Sequence, residues 1–177
     1  CGRLSFAFRK WGWTVLPAIE AYRNKNYDPD FDVLKADVCI AIVNVINACS
    51  WMCVHLGMPF SSWSRLNVNL NNGTRTIVNP WGSKKLELEI IGNKLSLFTL
   101  RIIRLLLSKG CWWSLENPAS SLFWSTKQAQ HLMSLTRVYV IKLCQCEYGL
   151  RFPDSPPNLF CQKNIRIRTN MPLHSLA

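Results

Sequence analysis

Acidic side chains are scarce in this sequence. It holds 10 Asp and Glu residues against 21 Lys and Arg, so its formal net charge is +11 at pH 7 and its pI is about 9.6. This imbalance favours an anionic partner, with DNA or another nucleic acid first. A basic protein without any specific partner has the same composition, so charge alone leaves that alternative open. With 177 residues, 49% of them hydrophobic, the chain fits a globular domain rather than a disordered one.

Zinc-finger spacing is absent among the eight cysteines. Cys49-x3-Cys53 and Cys144-x-Cys146 have the wrong separations, and no paired histidines accompany them. The first residues also lack the charged, apolar and cleavage-site pattern of a secretory leader. We therefore expect no metal site, buried reduced thiols rather than disulfides, and a cytoplasmic or nuclear location.

Charged residues are missing from one long segment. Between Val38 and Ser64 there is no Lys, Arg, Asp or Glu, and such a length is compatible with a membrane span. Polar residues interrupt the run, and Gly57 and Pro59 break it. A buried helix followed by a buried strand therefore fits it better. A small membrane protein that spans the bilayer from Val38 to Phe60 stays as an alternative.

Apolar periodicity predicts alternating helices and strands along most of the chain. The predicted helices cover residues 5–11, 37–50, 86–109 and 118–135. The predicted strands cover residues 13–19, 51–56, 111–115 and 138–143. Residues 57–82 form a polar connection of a length that is uncommon unless it is functional or disordered. The alternation predicts an α/β fold with a parallel sheet, in which ligands bind at the carboxyl ends of the strands.

Two short motifs follow successive predicted strands. GMPFSSWSR at residues 57–65 resembles the Gly-x-Pro-Cys loop of cytosine-C5 DNA methyltransferases, and ENP at residues 116–118 resembles their Glu-Asn-Val or Glu-Asn-Pro segment. Upstream, CGRLSFAFRKWGW followed by PAIEA resembles the family's glycine loop, helix and acidic strand end. A variant in retroelement-like genes carries ENP followed by Ser and Trp, as this chain does. The resemblance covers about residues 1–143 and fades towards residue 161.

The resemblance implies a fold and its limits. It implies a Rossmann-like methyltransferase sheet with flanking helices over residues 1–161, followed by a poorly ordered basic tail over residues 162–177. The family's first central strand would precede Cys1, so we expect that strand to be missing and the chain to be an N-terminally truncated, degenerate relative.

The family's chemistry gives roles to residues in both motifs. A cysteine thiolate adds to C6 of the cytosine, which lets C5 take a methyl group from S-adenosylmethionine. A glutamate hydrogen-bonds and protonates the ring at N3. By position, Glu116 matches that glutamate, with Asn117 beside it. Pro59 belongs to the Gly-x-Pro loop, and Phe60 occupies the position of the nucleophilic cysteine.

Further residues match the family's binding functions. Gly2 matches the last glycine of the S-adenosylmethionine loop, Glu20 the acid that binds the cofactor ribose, and Asp32 the acid near the adenine amine. A solvated strand end for Glu20 and an Asp-rich turn for Asp32 are the alternatives. Arg65 and Arg151 are candidate contacts to nucleic-acid phosphate, or simple surface cations.

The substitution at Phe60 implies loss of catalysis, because a phenyl ring cannot attack C6. Ser61 is a far weaker nucleophile than a thiolate, and Cys53 is expected inside the core. The resemblance therefore predicts an inactive methyltransferase-like domain whose cofactor binding is weak or lost. A non-enzymatic basic nucleic-acid-binding protein is the alternative. The oligomeric state stays open.

Overall fold

The computed structural model describes residues 2–23, 26–66, 72–83, 85–135, 137–151, 156, 158–160 and 162–172. Contacts between residues divide the chain into two compact units, Cys1–Val45 and Ile46–Ala177. Within the described ranges, no helix has both the length and the apolar character needed to cross a membrane.

The first unit contains short elements. Helix α1 covers Gly2–Lys10, and strands β1 (Tyr22–Arg23) and β2 (Asn26–Tyr27) pair antiparallel. A 3-10 turn at Pro29–Phe31 follows, and helix α2 (Ala36–Ala48) begins in this unit. The two helices predicted at residues 5–11 and 37–50 are confirmed within a few residues at each end.

The strand predicted over residues 13–19 is wrong, because these residues have no regular structure. Pro17 in the middle of the run has no N–H to donate to a neighbouring strand. Apolar residues alone do not make a strand, since a strand exists only through its hydrogen-bonded neighbour.

The second unit is built on a four-stranded mixed sheet. Its strands are β3 (Cys53–Gly57), β4 (Trp112–Pro118), β5 (Tyr139–Cys144) and β6 (Asn164–Thr169), in the spatial order β3-β4-β6-β5. β3 and β4 are parallel, whereas β6 is antiparallel to both β4 and β5. Three strands therefore point the same way, and β6 runs between two of them in the opposite direction.

Helix α3 (Glu87–Ser108) connects the parallel strands β3 and β4. Its leucines and isoleucines recur at helical spacing, and Leu100, Ile102, Ile103 and Leu106 are buried. Gly110, with φ of 66°, ends the helix in the left-handed conformation that glycine adopts without strain. The predicted helix 86–109 and the strands on either side of it are confirmed.

The segment after β4 corrects one prediction. Pro118, which we expected in the first turn of a helix, is the last residue of β4. A 3-10 turn at Leu122–Ser125 follows, and helix α4 covers only Lys127–Ser134. Thr126 starts α4, since its side chain accepts a hydrogen bond from the Ala129 amide at 3.1 Å.

The predicted poorly ordered tail is wrong for residues 164–169, which form β6 inside the sheet. The sequence NIRIRT alternates apolar and basic residues, as a strand with two different faces requires. Ile165 and Thr169 are buried. The α/β class is thus confirmed as a mixed sheet with flanking helices, but only β3 and β4 are parallel neighbours.

Candidate functional site at the carboxyl ends of β3 and β4

The two sequence motifs begin at neighbouring strand ends. Gly57, which opens GMPF, pairs with Glu116, which opens ENP, in the register of β3 and β4. The carboxyl ends of parallel strands lie at the same edge of a sheet, so the segments after Gly57 and after Pro118 leave the sheet side by side. β6 is antiparallel, and therefore its first residues lie at this edge as well.

The carboxylate of Glu116 lies beside the imidazole of His55 on the neighbouring strand. The Nε2 atom of His55 lies 3.7 Å from Oε2 of Glu116, and Nδ1 of the same ring lies 2.8 Å from the Ser114 hydroxyl oxygen. Ser114 and Glu116 are alternate residues of β4 and therefore share one face of the sheet. The His55 and Glu116 side chains are both partly exposed, so this trio is accessible from solvent.

The electrostatics of Glu116 favour the carboxylate form. Hydrogen bonding by His55 lowers the pKa of Glu116 below its ordinary value, partial burial raises it, and the charges of His55 and Lys163 lower it again. At 3.7 Å the contact with His55 is longer than an ordinary hydrogen bond, so we treat it as mainly electrostatic. A general acid that works near neutral pH needs a raised pKa. Glu116 is therefore a better hydrogen-bond acceptor than proton donor.

Phe60 lies at the same edge and is covered by a cation. The residue precedes a 3-10 turn at Ser61–Trp63, and 41% of it is exposed. The Nζ atom of Lys163 lies 5.1 Å from the centroid of the Phe60 ring. Lys163 thus makes a cation–π contact with Phe60, and its charge also stabilises the carboxylate of Glu116. The preceding residue, Pro59, is exposed.

Cys53 does not replace the missing nucleophile. It opens β3, and burial raises the pKa of its thiol to about 11. The thiolate is the reactive form of cysteine, so only a very small fraction of Cys53 is reactive near neutral pH.

Asn117 lies on the opposite face of the sheet from Glu116, because neighbouring residues of a strand point to opposite faces. It is only 1% exposed, and neither its Oδ1 nor its Nδ2 atom has a hydrogen-bond partner among the described residues. The register of β4 and β6 places it directly across from Arg166. The ENP motif therefore supplies one polar group to each face of the sheet.

The connection after β3 is held by a buried arginine that sequence reasoning missed. Arg75 is buried, and its guanidinium carbon lies 3.6 Å from the centroid of the Trp63 ring. It donates hydrogen bonds to four oxygens, which are Ser62 Oγ (3.2 Å), Asn93 Oδ1 (2.9 Å) and the backbone carbonyl oxygens of Pro80 (2.8 Å) and Glu89 (3.0 Å). Burial lowers the pKa of Arg75 to about 10, against the charge of Glu89, which raises it. The group therefore stays charged at neutral pH.

Glu89 completes this network from the first turn of α3. Its carboxylate is fully buried and accepts hydrogen bonds from the Thr74 amide and hydroxyl, both at 2.7 Å. Gly82 and Gly92 border the network, and a Cβ atom at either position would overlap with Glu89 Oε2 or Ser62 Oγ. The sequence did not predict that Arg75 and Glu89 are buried, because charged residues in or beside a polar segment are usually exposed to solvent.

The residues that match the family's cofactor site are Gly2, Glu20 and Asp32, all in the first unit. Gly2 lies in helix α1 rather than in a loop. The Asp32 carboxylate is engaged within its own turn, where it accepts hydrogen bonds from the Tyr27 hydroxyl at 2.7 Å and the Leu34 amide at 2.9 Å. Glu20 is exposed in an irregular segment. At Asp32 the structure therefore has the Asp-rich turn that was the alternative to a cofactor contact.

The remaining candidate residues lie apart from strands β3 to β6 in the sequence. Arg65 is exposed, as is Arg151, whose guanidinium carbon lies 4.8 Å from the centroid of the Phe160 ring. In the described ranges, no group of three or more His, Cys, Asp or Glu side chains is placed to hold a metal ion.

Comparisons with known proteins identify no relative. The chain matches no protein-family model, no curated protein and no solved structure.

Proposed function

We propose that the second unit is a catalytically inactive domain related to cytosine-C5 DNA methyltransferases. The observation that carries the proposal is the pairing of Gly57 with Glu116 across two parallel strands joined by α3. It sets GMPF and ENP at one edge of a mixed α/β sheet, which is where ligands of such sheets bind. The fold is compatible with the Rossmann-like sheet that the resemblance implies.

The residue at the position of the nucleophile and the one cysteine of β3 support the loss of catalysis. The family's first step needs a thiolate that adds to C6, and the position holds the phenyl ring of Phe60. The thiol of Cys53 is a poor substitute, because it lies at the opposite end of β3 and its pKa is raised to about 11. The carboxyl of Glu116 has a pKa below its ordinary value, so near neutral pH it is a carboxylate that accepts hydrogen bonds. The missing thiolate at Phe60 is therefore the defect that accounts for the loss of catalysis.

The proposal is tested with duplex DNA that contains 5-azacytosine, a base that traps the cysteine of C5 methyltransferases covalently. The native chain should form no adduct that survives denaturing electrophoresis. Phe60→Cys restores the thiol beside Glu116 and should form one, and Glu116→Gln in that background should slow it. An adduct with the native chain would overturn the inactive assignment. If iodoacetamide alkylates the new thiol of Phe60→Cys but this variant forms no adduct with the DNA, the relation to methyltransferases is overturned.

A further inference from the structure

Three cations share one face of the sheet on strands β5 and β6. Arg166 and Arg168 are alternate residues of β6, and Lys142 of β5 pairs directly with Arg166. Residues that pair directly across antiparallel strands have side chains on the same face. We call Lys142, Arg166 and Arg168 the basic strip. Val140, which pairs with Arg168, is 43% exposed, so this face is open to solvent at β5.

Within the described part of the chain, no acidic side chain lies within 4.0 Å of the basic strip. The Nε atoms of Arg166 and Arg168 are buried and make no hydrogen bond to a described group. Burial lowers the pKa of Arg168, and the like charge of Arg166 lowers it further. Like charges on partly buried side chains repel each other, and an anion bound beside them would relieve that repulsion.

A buried amide and an aromatic ring border the strip. Asn117 lies across from Arg166 on the same face, and both polar atoms of its side chain lack a partner in the described part of the chain. Asn117 is only 1% exposed, so a ligand can reach the cations of the strip but not this amide. The guanidinium carbon of Arg166 lies 5.6 Å from the centroid of the Trp124 ring. The Trp124 indole N–H donates to the Pro118 carbonyl oxygen at 2.9 Å, which fixes the ring.

We propose that the basic strip binds the phosphodiester backbone of a nucleic acid through its three cations. Arg166 and Arg168 are alternate residues of β6 and so lie about 6.6 Å apart, and Lys142 lies beside Arg166 on β5, so the positive charge extends over more than one phosphate of a backbone. An aromatic ring beside these cations offers a surface on which a base stacks. The net charge of +11 favours the approach of any polyanion. The inference does not rest on the proposed relation to methyltransferases.

The test is fluorescence anisotropy of the full chain with a fluorescein-labelled 20-nucleotide DNA, single-stranded and duplex, over a series of salt concentrations. Arg166→Gln with Arg168→Gln should weaken binding about tenfold at moderate salt and lower the salt slope by roughly 1.5, because two phosphate contacts are lost. The matched control is Arg101→Gln with Arg104→Gln, which removes the same charge from exposed positions of α3. It should change the affinity by about twofold or less.

Lys142→Gln keeps the test valid if the arginine variant unfolds. Lys142 is exposed, so its substitution should leave Tm unchanged while it weakens binding and lowers the salt slope by roughly 0.7–0.9. Three outcomes would overturn the proposal. They are equal losses in the strip variant and the α3 control, native binding that ignores salt, and binding to phosphatidylserine vesicles but not to DNA.

Discussion

His55 and Glu116 face each other across the parallel strands β3 and β4, with Nε2 and Oε2 3.7 Å apart. The other ring nitrogen of His55 is within hydrogen-bond distance of Ser114, so the imidazole is held between a hydroxyl and a carboxylate. A carboxylate that is held in this way, with Lys163 adding to its stabilisation, is arranged to accept hydrogen bonds or bind a cation rather than to release a proton.

The lowered pKa of Glu116 predicts a pH-dependent contribution to stability. Its folded pKa lies below the ordinary value of 4.5, so the stabilisation is present above that pH and is lost as the pH falls through the folded pKa. Glu116→Gln should lower the free energy of unfolding at about pH 6 and have little effect near pH 3, measured by urea denaturation. Glu147→Gln at an exposed position is the control. An equal effect of Glu116→Gln at both pH values would contradict this.

The tight approach of α3 to the 3-10 turn at Ser61–Trp63 predicts that Gly92 tolerates no side chain. A Cβ at this position would overlap with Ser62 Oγ, so Gly92→Ala should cost about 1–3 kcal/mol of unfolding free energy. Gly57→Ala is the matched control, because no heavy atom lies within 4 Å of its Cβ position. Adding Ser62→Gly should restore part of the stability that Gly92→Ala loses, and an unchanged loss would contradict the proposed overlap.

The raised pKa of Cys53 predicts a slow thiol. With a pKa of about 11, roughly one molecule in a thousand carries the thiolate at pH 8. We expect iodoacetamide to modify Cys53 on the order of 100-fold more slowly in the folded chain than in urea, followed by peptide mass spectrometry. Fast labelling of the folded chain would show that Cys53 is a usable nucleophile and would weaken the case for lost catalysis.

The hydroxyl of Thr169 predicts a measurable role for β6 in stability. It donates to the Trp113 carbonyl oxygen at 2.6 Å and accepts from the Met171 amide at 3.0 Å. Thr169→Val leaves both buried groups unpaired and should cost about 1–3 kcal/mol. Ser108→Ala, which removes an exposed hydroxyl bonded to the Leu105 carbonyl, should cost far less. If both substitutions cost the same, β6 does not hold the sheet in this way.

The sequence predicted the elements whose signal is local. The apolar stripe of α3 and the short apolar runs of β3 and β4 each lie within a single window of the chain. It also placed GMPF and ENP at the ends of successive strands, but ENP forms the last three residues of β4 and does not follow it, because pairing with β6 extends that strand.

The parts that sequence missed depend on distant partners. β6 is a strand because it finds β4 and β5 on its two sides, whereas its alternating arginines resemble a solvated tail. Arg75 is buried because Trp63 and the first turn of α3 enclose it, and no neighbour in the chain indicates this. For residues 13–19 the error was the reverse: their apolar sequence predicted a strand, but they pair with no other strand.

The position of β6 has a consequence for how the protein is made. β6 lies between β4 and β5, although it follows both along the chain. While the chain is synthesised, β4 and β5 therefore have unpaired edges until residues 164–169 emerge from the ribosome. Only β3, α3 and β4 can assemble as a unit before that, and unpaired edges attract other chains. We expect the nascent second unit to depend on chaperones until β6 is complete. The four strands can pair into one sheet only after β6 has been translated.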